Sequence, residues 1–227
     1  MTPDEISALI VSLVVSLRAV IIALPLAIAV AWALARGRFA GRTILDLLVH
    51  SPLVLPPVLV GYVLLVLLGV HGPLGGLLYG AFHIRLPFTS AGASLAAGVM
   101  AFPLMVRAVR LSLEAVDPAL EVAARSLGAG WWDRMISIVL PLAAPGVVAA
   151  AVVGFAACLG EFGAVITFAA NVPGVTQTLP LAIYTTLQTP GAEASAARLA
   201  TISFTLAIVA LGASEWLARK ARAWSGR

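Results

Sequence analysis

The sequence predicts an all-α, polytopic membrane protein. Three observations carry that prediction: the composition, a series of long apolar stretches, and the one-sided placement of positive charge. Of 227 residues, 61% are apolar and 11% are charged, where an ordinary soluble domain carries about 25% charged residues. A mean hydropathy of +1.06 fits neither a water-soluble globule nor a disordered chain. A bilayer-spanning helix takes about 20 apolar residues. Five such helices use roughly 100–125 residues and leave short loops but no second soluble domain. Residues 1–227 are therefore expected to form a single transmembrane domain.

The first apolar stretch covers residues 6–35 and is broken only by Arg18. A secretory leader would begin with basic residues, whereas this chain begins with Asp4 and Glu5, so the stretch is expected to stay as a span. The second covers residues 47–70, the third 86–106 and the fourth 135–160, which has no charge at all. The fifth covers residues 199–217, with Glu215 near its end. Each is long enough to cross with some tilt.

Positive charge on short loops marks the cytoplasmic side. Arg36, Arg38 and Arg42 follow the first span, and Arg107, Arg110, Arg125 and Arg134 lie between the third and fourth. Arg219, Lys220, Arg222 and Arg227 close the chain, leaving only Arg18, Arg85 and Arg198 of the 14 basic residues elsewhere. Five spans with the N-terminus outside and the C-terminus in the cytoplasm satisfy this pattern. Trp131, Trp132, Trp216 and Trp224 fall at the same boundary, where an aromatic belt is expected.

Residues 162–192 are also uncharged, but they hold Asn171, Pro173-Gly174, Gln177, Pro180, Gln188 and Pro190. Lipid-facing backbone must be regular helix. The region therefore reads either as a sixth, short or re-entrant element, or as an external loop with a surface helix over residues 179–187.

Several chemistries are excluded. The one cysteine, Cys158, allows no intrachain disulfide and no CxxC pair. His50, His71 and His83 are scattered and form no metal motif, so no metal site is expected. The one lysine, Lys220, is followed by Ala221, so the chain has no Walker A loop and no ATP site of its own. The chain is not expected to be an enzyme, nor to bind nucleic acid. A secondary transporter would carry paired charges within its spans for ion coupling, and only Arg18 clearly lies there.

Residues 107–134 form the longest segment on the basic side and carry helix signals. Asp117-Pro118 is an N-cap followed by proline at the first helical position, and Gly128 is placed to end the helix. Leu120, Ala123, Ala124 and Leu127 recur at helical spacing, and Glu121 and Arg125 form an i,i+4 pair. A short helix with an apolar stripe and small residues suits docking into a groove of a partner. An ordinary interfacial helix is the bland alternative.

The run Val122-Ala123-Ala124-Arg125-Ser126-Leu127-Gly128, with Ile138-Val139-Leu140-Pro141 after it, resembles the cytoplasmic loop of bacterial ABC importer permeases. That family's Glu-Ala-Ala signature has its glutamate where this chain has Val122, while Glu121 lies one position earlier. Ser51-Pro52-Leu53-Val54-Leu55-Pro56-Pro57-Val58, Met100-Ala101-Phe102-Pro103 and Gly160-Glu161-Phe162-Gly163-Ala164 are similar to molybdate permeases in particular. So are Asn171-Val172-Pro173-Gly174 and Thr178-Leu179-Pro180-Leu181-Ala182. Sulfate permeases are the nearest confusable relatives.

The resemblance implies a type I ABC importer permease fold in the bacterial inner membrane. It implies import of molybdate or tungstate, with sulfate or another oxyanion as the alternative. The implied partners are a second copy of the chain, a cytoplasmic ATPase dimer and a periplasmic oxyanion-binding protein. ATP and magnesium would sit on the ATPase, and this chain would bind no cofactor. Asp117, Glu121, Ala123, Ala124, Arg125, Leu127, Gly128, Ile138, Leu140 and Pro141 would form the ATPase-coupling segment.

The path is less legible. An oxyanion calls for hydrogen-bond donors, and Thr167, Asn171, Thr176, Gln177 and Thr178 are candidate lining groups against a reading as loop and cap chemistry. Ser51 with Pro52, Pro56 and Pro57 could kink the second span and loosen its backbone near a gate, against a reading as a simple kink. Arg18 is either functional or reaches for the outer headgroups. Glu161 would repel an anion and is expected to pair with a donor or cation, Arg18 among the candidates.

Overall fold

In the computed structural model, the structure describes residues 1–224. Arg227 of the basic tail lies outside them, as do the side chains of Glu215, Lys220, Arg222 and Trp224. All the regular structure among the described residues is helical.

Helix α1 (Pro3–Arg36) opens with a capping box, in which Thr2 and Glu5 satisfy each other's backbone N–H groups. Helix α2 (Arg42–His50) runs into a 3₁₀ turn at Ser51–Leu53, and α3 is Pro57–Leu68. A short α4 (Pro73–Phe82) leads to α5 (Ser90–Glu114). Then come α6 (Pro118–Ser126), α7 (Trp131–Arg134), a π-helical turn at Met135–Val139 and α8 (Leu140–Gly160). Two short helices, α9 (Gly163–Ala169) and α10 (Leu179–Leu187), precede α11 (Glu193–Trp224).

Four helices are long and apolar enough to span: Pro3–Arg36, Ser90–Glu114, Trp131–Gly160 and Glu193–Ala213. A fifth span exists only if Arg42–Leu53 and Pro57–Leu68, bent by 116°, count as one. The expected second span, at residues 47–70, is therefore no simple kinked helix. Pro52, Pro56 and Pro57 lie close together, each without an N–H to donate, and the helix is broken there into two segments that meet at a sharp bend.

Helices α1, α5 and α8 pack together as the centre of the fold. Their meeting faces are small: Ala19, Ala23, Ala27 and Ala31 on α1 and Ala93, Ala97 and Ala101 on α5 are all buried. Without a hydrophobic drive between helices in lipid, association depends on close van der Waals packing, and alanine faces permit it.

Residues 162–192 resolve as the short, non-spanning element. Helix α10 has the bounds expected of a surface helix, yet Leu179, Leu181 and Ala182 are buried. Helix α9 has five of its seven residues buried and packs against α3 and α5.

Candidate functional site

Helix α6 is defined by its own residues. Asp117 accepts from the Ala119 N–H at 2.8 Å, and Pro118 sets the first helical φ. The helix ends at Gly128, whose φ of +86° a β-branched residue would hold only under strain. Two bonds close that end, from Ala129 N to Ala124 O and from Gly128 N to Arg125 O, both 3.0 Å. They are the paired bonds of a Schellman cap.

No residue of α6 is buried, yet the helix is firmly held. Arg36, at the end of α1, pairs with Glu121 at 2.7 Å. The same guanidinium donates to the Leu113 carbonyl at the end of α5, at 3.1 Å. Trp32 of α1 meets Trp131 edge to face with centroids 6.3 Å apart, and Trp131 meets Trp132 at 4.5 Å. The expected Glu121–Arg125 pair is replaced by the longer-range one to Arg36, and Arg125 stays exposed. Val122, where the family signature has its glutamate, is exposed, as are Leu120, Ala123 and Leu127. Leu127 shows 88% of its surface.

The π-helical turn lies just before Leu140-Pro141. Pro141 cannot donate and its ring crowds the carbonyl four residues back, so the helix widens there, and Leu140 N–H bonds Met135 O. Ile138 is half-buried, while Leu140 and Pro141 are on the surface.

The broken span holds the second group of candidate residues. Ser51 Oγ donates back to Leu48 O at 2.9 Å, Pro56 precedes α3 and Pro57 starts it. The elbow Leu53-Val54-Leu55 is exposed, Val54 by 86%. Beside it opens a cavity of about 740 Å³, bordered by Asp46, His50, Ser51, Val54, Arg107 and Arg110. Arg110 ties α5 to α2 through Asp46 at 3.2 Å and takes Glu114 on its own helix at 2.8 Å. His50 Nδ1 lies 3.0 Å from Asp46 Oδ1. Arg107 makes no ion pair among the described residues.

The remaining sequence candidates gather around α9 and α10. Thr167 Oγ1 donates to Gly163 O at 2.8 Å. Thr176 is fully buried, accepting from Val172 N at 3.0 Å and donating to Ala170 O at 3.2 Å. Asn171 donates to Thr185 Oγ1 at 2.8 Å. Gln177 and Thr178 are buried. Helix α9 sits so close to α3 that a Cβ on Gly61 would lie 2.7 Å from Ala164 O.

Glu161 and Arg18 do not pair. Glu161 accepts from Ala164 N at 2.8 Å, satisfying a free N–H at the start of α9, and Arg18 donates to Ser90 Oγ at 3.3 Å. Their expected partnership is thus corrected: a local backbone donor serves the carboxylate.

Sequence reasoning also missed some anchors. Glu5, read only as an N-terminal charge, is buried and binds Ser195 at 2.7 Å and Arg198 at 2.9 Å. Ser12 Oγ accepts from Leu179 N at 2.7 Å. The i,i+4 spacing of Asp46–His50 and of Arg110–Glu114 was the available signal for the α2–α5 cluster.

Long apolar helices, a sharply bent helix pair and a surface helix pinned between two spans define the class: a multi-pass membrane protein. The model of the family described as binding-protein-dependent transport system inner membrane component matches residues 23–223, and the chain belongs to that family. It is 54% identical over 227 residues to the molybdenum transport system permease protein ModB of Escherichia coli K12, covering 100% of this chain and 99% of that protein. It is 50% identical over 216 residues to ModB of Haemophilus influenzae, covering 95% and 94% respectively. A solved bacterial alginate ABC transporter, in complex with an alginate pentasaccharide-bound periplasmic protein, matches in fold with a TM-score of 0.77 at 16% identity. That match covers 97% of this chain and 80% of the other.

Proposed function

We propose that this chain is the permease subunit of an ATP-driven importer that moves molybdate, or tungstate, from the periplasm into the cytoplasm. The observation that carries the reading is α6: no residue of it is buried, yet it is locked to α1 through Arg36 and Trp32 and to α5 through Leu113. A helix held this way moves with the spans it touches. A force applied to its apolar face reaches the path without being lost in a flexible loop. The full-length likeness to the two ModB proteins supports the choice of solute.

In this reading the N-terminus is outside and α6 faces the cytoplasm, where it sits in a groove of a separate ATPase subunit that carries the ATP and magnesium. Two copies of the chain form the path. Support for the second copy comes from the elbow at Leu53-Val54-Leu55, which is exposed and non-helical beyond its 3₁₀ turn. Such backbone is not tolerated against lipid, so protein or a water-filled path must face it. ATP binding would draw the two α6 helices together and open the path toward a docked periplasmic binding protein. Hydrolysis would reset it inward. The oxyanion would leave through the cavity beside the elbow, where Asp46 and Glu114 are taken up by Arg110 and Arg107 forms no ion pair among the described residues. Thr167 and Thr176 spend their hydroxyls on the backbone, so their part in the path would be to shape it.

The test is uptake of labelled molybdate at trace concentration in cells with and without the chain, with excess tungstate or sulfate as competitor. Uptake should require the chain, fall with tungstate and ignore sulfate. Displacement by sulfate would move the solute to sulfate while leaving the importer reading in place. Ala123→Glu, which puts a charge on the exposed face of α6, should abolish uptake and co-purification of the ATPase while the chain still inserts. Normal uptake by that variant would remove the docking assignment.

A further inference from the structure

Arg18 takes no part in the transport scheme. It lies in a span, where an unpaired cation is costly and calls for a partner. Among the described residues its hydrogen-bond partner is the Ser90 hydroxyl at 3.3 Å, and it forms no ion pair. Arg18 is exposed and no described carboxylate pairs with it, which leaves it open to a counter-charge from a bound group.

Its depth limits what that can be. Ser90 is the first residue of α5. From there to Arg107 the helix rises roughly 25 Å, close to the hydrocarbon thickness of about 30 Å. Arg107 borders the charged cavity at the other end, so Ser90 marks the opposite edge of the hydrocarbon. Side chains on a helix lean toward its N-terminus, which carries the Arg18 guanidinium outward, toward the headgroups. Below it an apolar groove of about 530 Å³ descends between α1, α2 and α5, lined by Ala19, Ala23 and Leu26, by Val49, and by Leu95 and Phe102. Along α5 its lining runs from Ala91 to Phe102, roughly 16 Å, room for much of an acyl chain.

We propose that this groove binds one phospholipid with an anionic headgroup, its tail between α1 and α5 and its phosphate held by Arg18 and the Ser90 hydroxyl. Arg18 and Ser90 supply donors, and the positively polarised start of α5 adds to them. A charge-assisted pair at the edge of hydrocarbon is stronger than the same pair in water. Helix α2 closes the groove on one side, so the lipid would also bear on the helix that leads into the elbow. The proposal does not depend on which solute is carried.

The test uses the full-length chain in mild detergent, incubated with phosphatidylglycerol or phosphatidylcholine of matched tails and examined by native mass spectrometry. Wild type should retain one phosphatidylglycerol per chain, and phosphatidylcholine about tenfold less. Arg18→Gln should lower phosphatidylglycerol retention to the phosphatidylcholine level, while Arg18→Lys should keep most of the preference. Val99→Phe, which fills the groove without touching the charge, should reduce both lipids, and it reads the site even if Arg18→Gln fails to insert. Equal retention of the two lipids by wild type, or unchanged phosphatidylglycerol retention in Arg18→Gln, overturns the proposal. Disulfide-linked dimers of an Ile22→Cys variant would assign the groove to a second copy and overturn it as well.

Discussion

Arg36 stands where three elements meet. In sequence it is one of several arginines on the basic side of the chain. In the structure it joins α1 to Glu121 on α6 and to the Leu113 carbonyl on α5. If the ion pair transmits motion, removing either member should slow transport, and removing both should do little more, because partners in one interaction are not additive. Uptake rates of Arg36→Gln, Glu121→Gln and the double variant, at equal membrane abundance, measure this. Independent losses that multiply would show that the pair is not the link. Gly128 is a second decisive residue. Valine at its positive φ should cost about 1–2 kcal/mol locally and loosen the cap of α6. Uptake should fall about tenfold or more with insertion unchanged, as followed by membrane fractionation alongside the uptake assay.

At the scale of elements, the tight seam between α3 and α9 should govern the broken span. Gly61 faces Ala164 and Thr167, and an added Cβ would lie within 3 Å of both. Gly61→Leu should therefore force the two helices apart. Overpacking of this kind typically costs about 1–3 kcal/mol. The expected result is a lower thermal midpoint in detergent together with lost uptake. An unchanged midpoint would mean that α9 can shift freely, contrary to its burial. Helix α6 was legible almost to the residue, because its start and stop are written in Asp117, Pro118 and Gly128, each acting on backbone a few residues away. Helix α9 was not. It is an uncharged stretch of seven residues whose helical state depends on Glu161 at its start and on α3 and α5 around it. Proline content warned of a break near residue 52 but did not give the 116° bend, since neighbouring helices decide how far a freed backbone turns.

At the scale of the whole molecule, the proposed second copy should meet this chain at the exposed elbow. With Cys158 replaced by serine, a Val54→Cys variant should form disulfide-linked dimers in membranes under mild oxidation. The same cysteine at Leu211, on an exposed face of α11 remote in sequence from the elbow, should not. Cross-linking at residue 211 in place of 54 would put the interface elsewhere.

The sequence by itself determined the membrane class, the long apolar segments, the basic side of the chain and the limits of α6. These rest on composition and on interactions within a turn or two of helix, which neighbouring residues settle among themselves. The tertiary structure alone decided which partner each lone charge finds. Glu121 turns to Arg36 rather than Arg125, Glu161 to a backbone N–H rather than Arg18, and the buried Glu5 to Arg198 across 193 residues of chain. A charge in an apolar setting takes the nearest strong donor or acceptor that packing brings to it, and packing is a property of all the helices together.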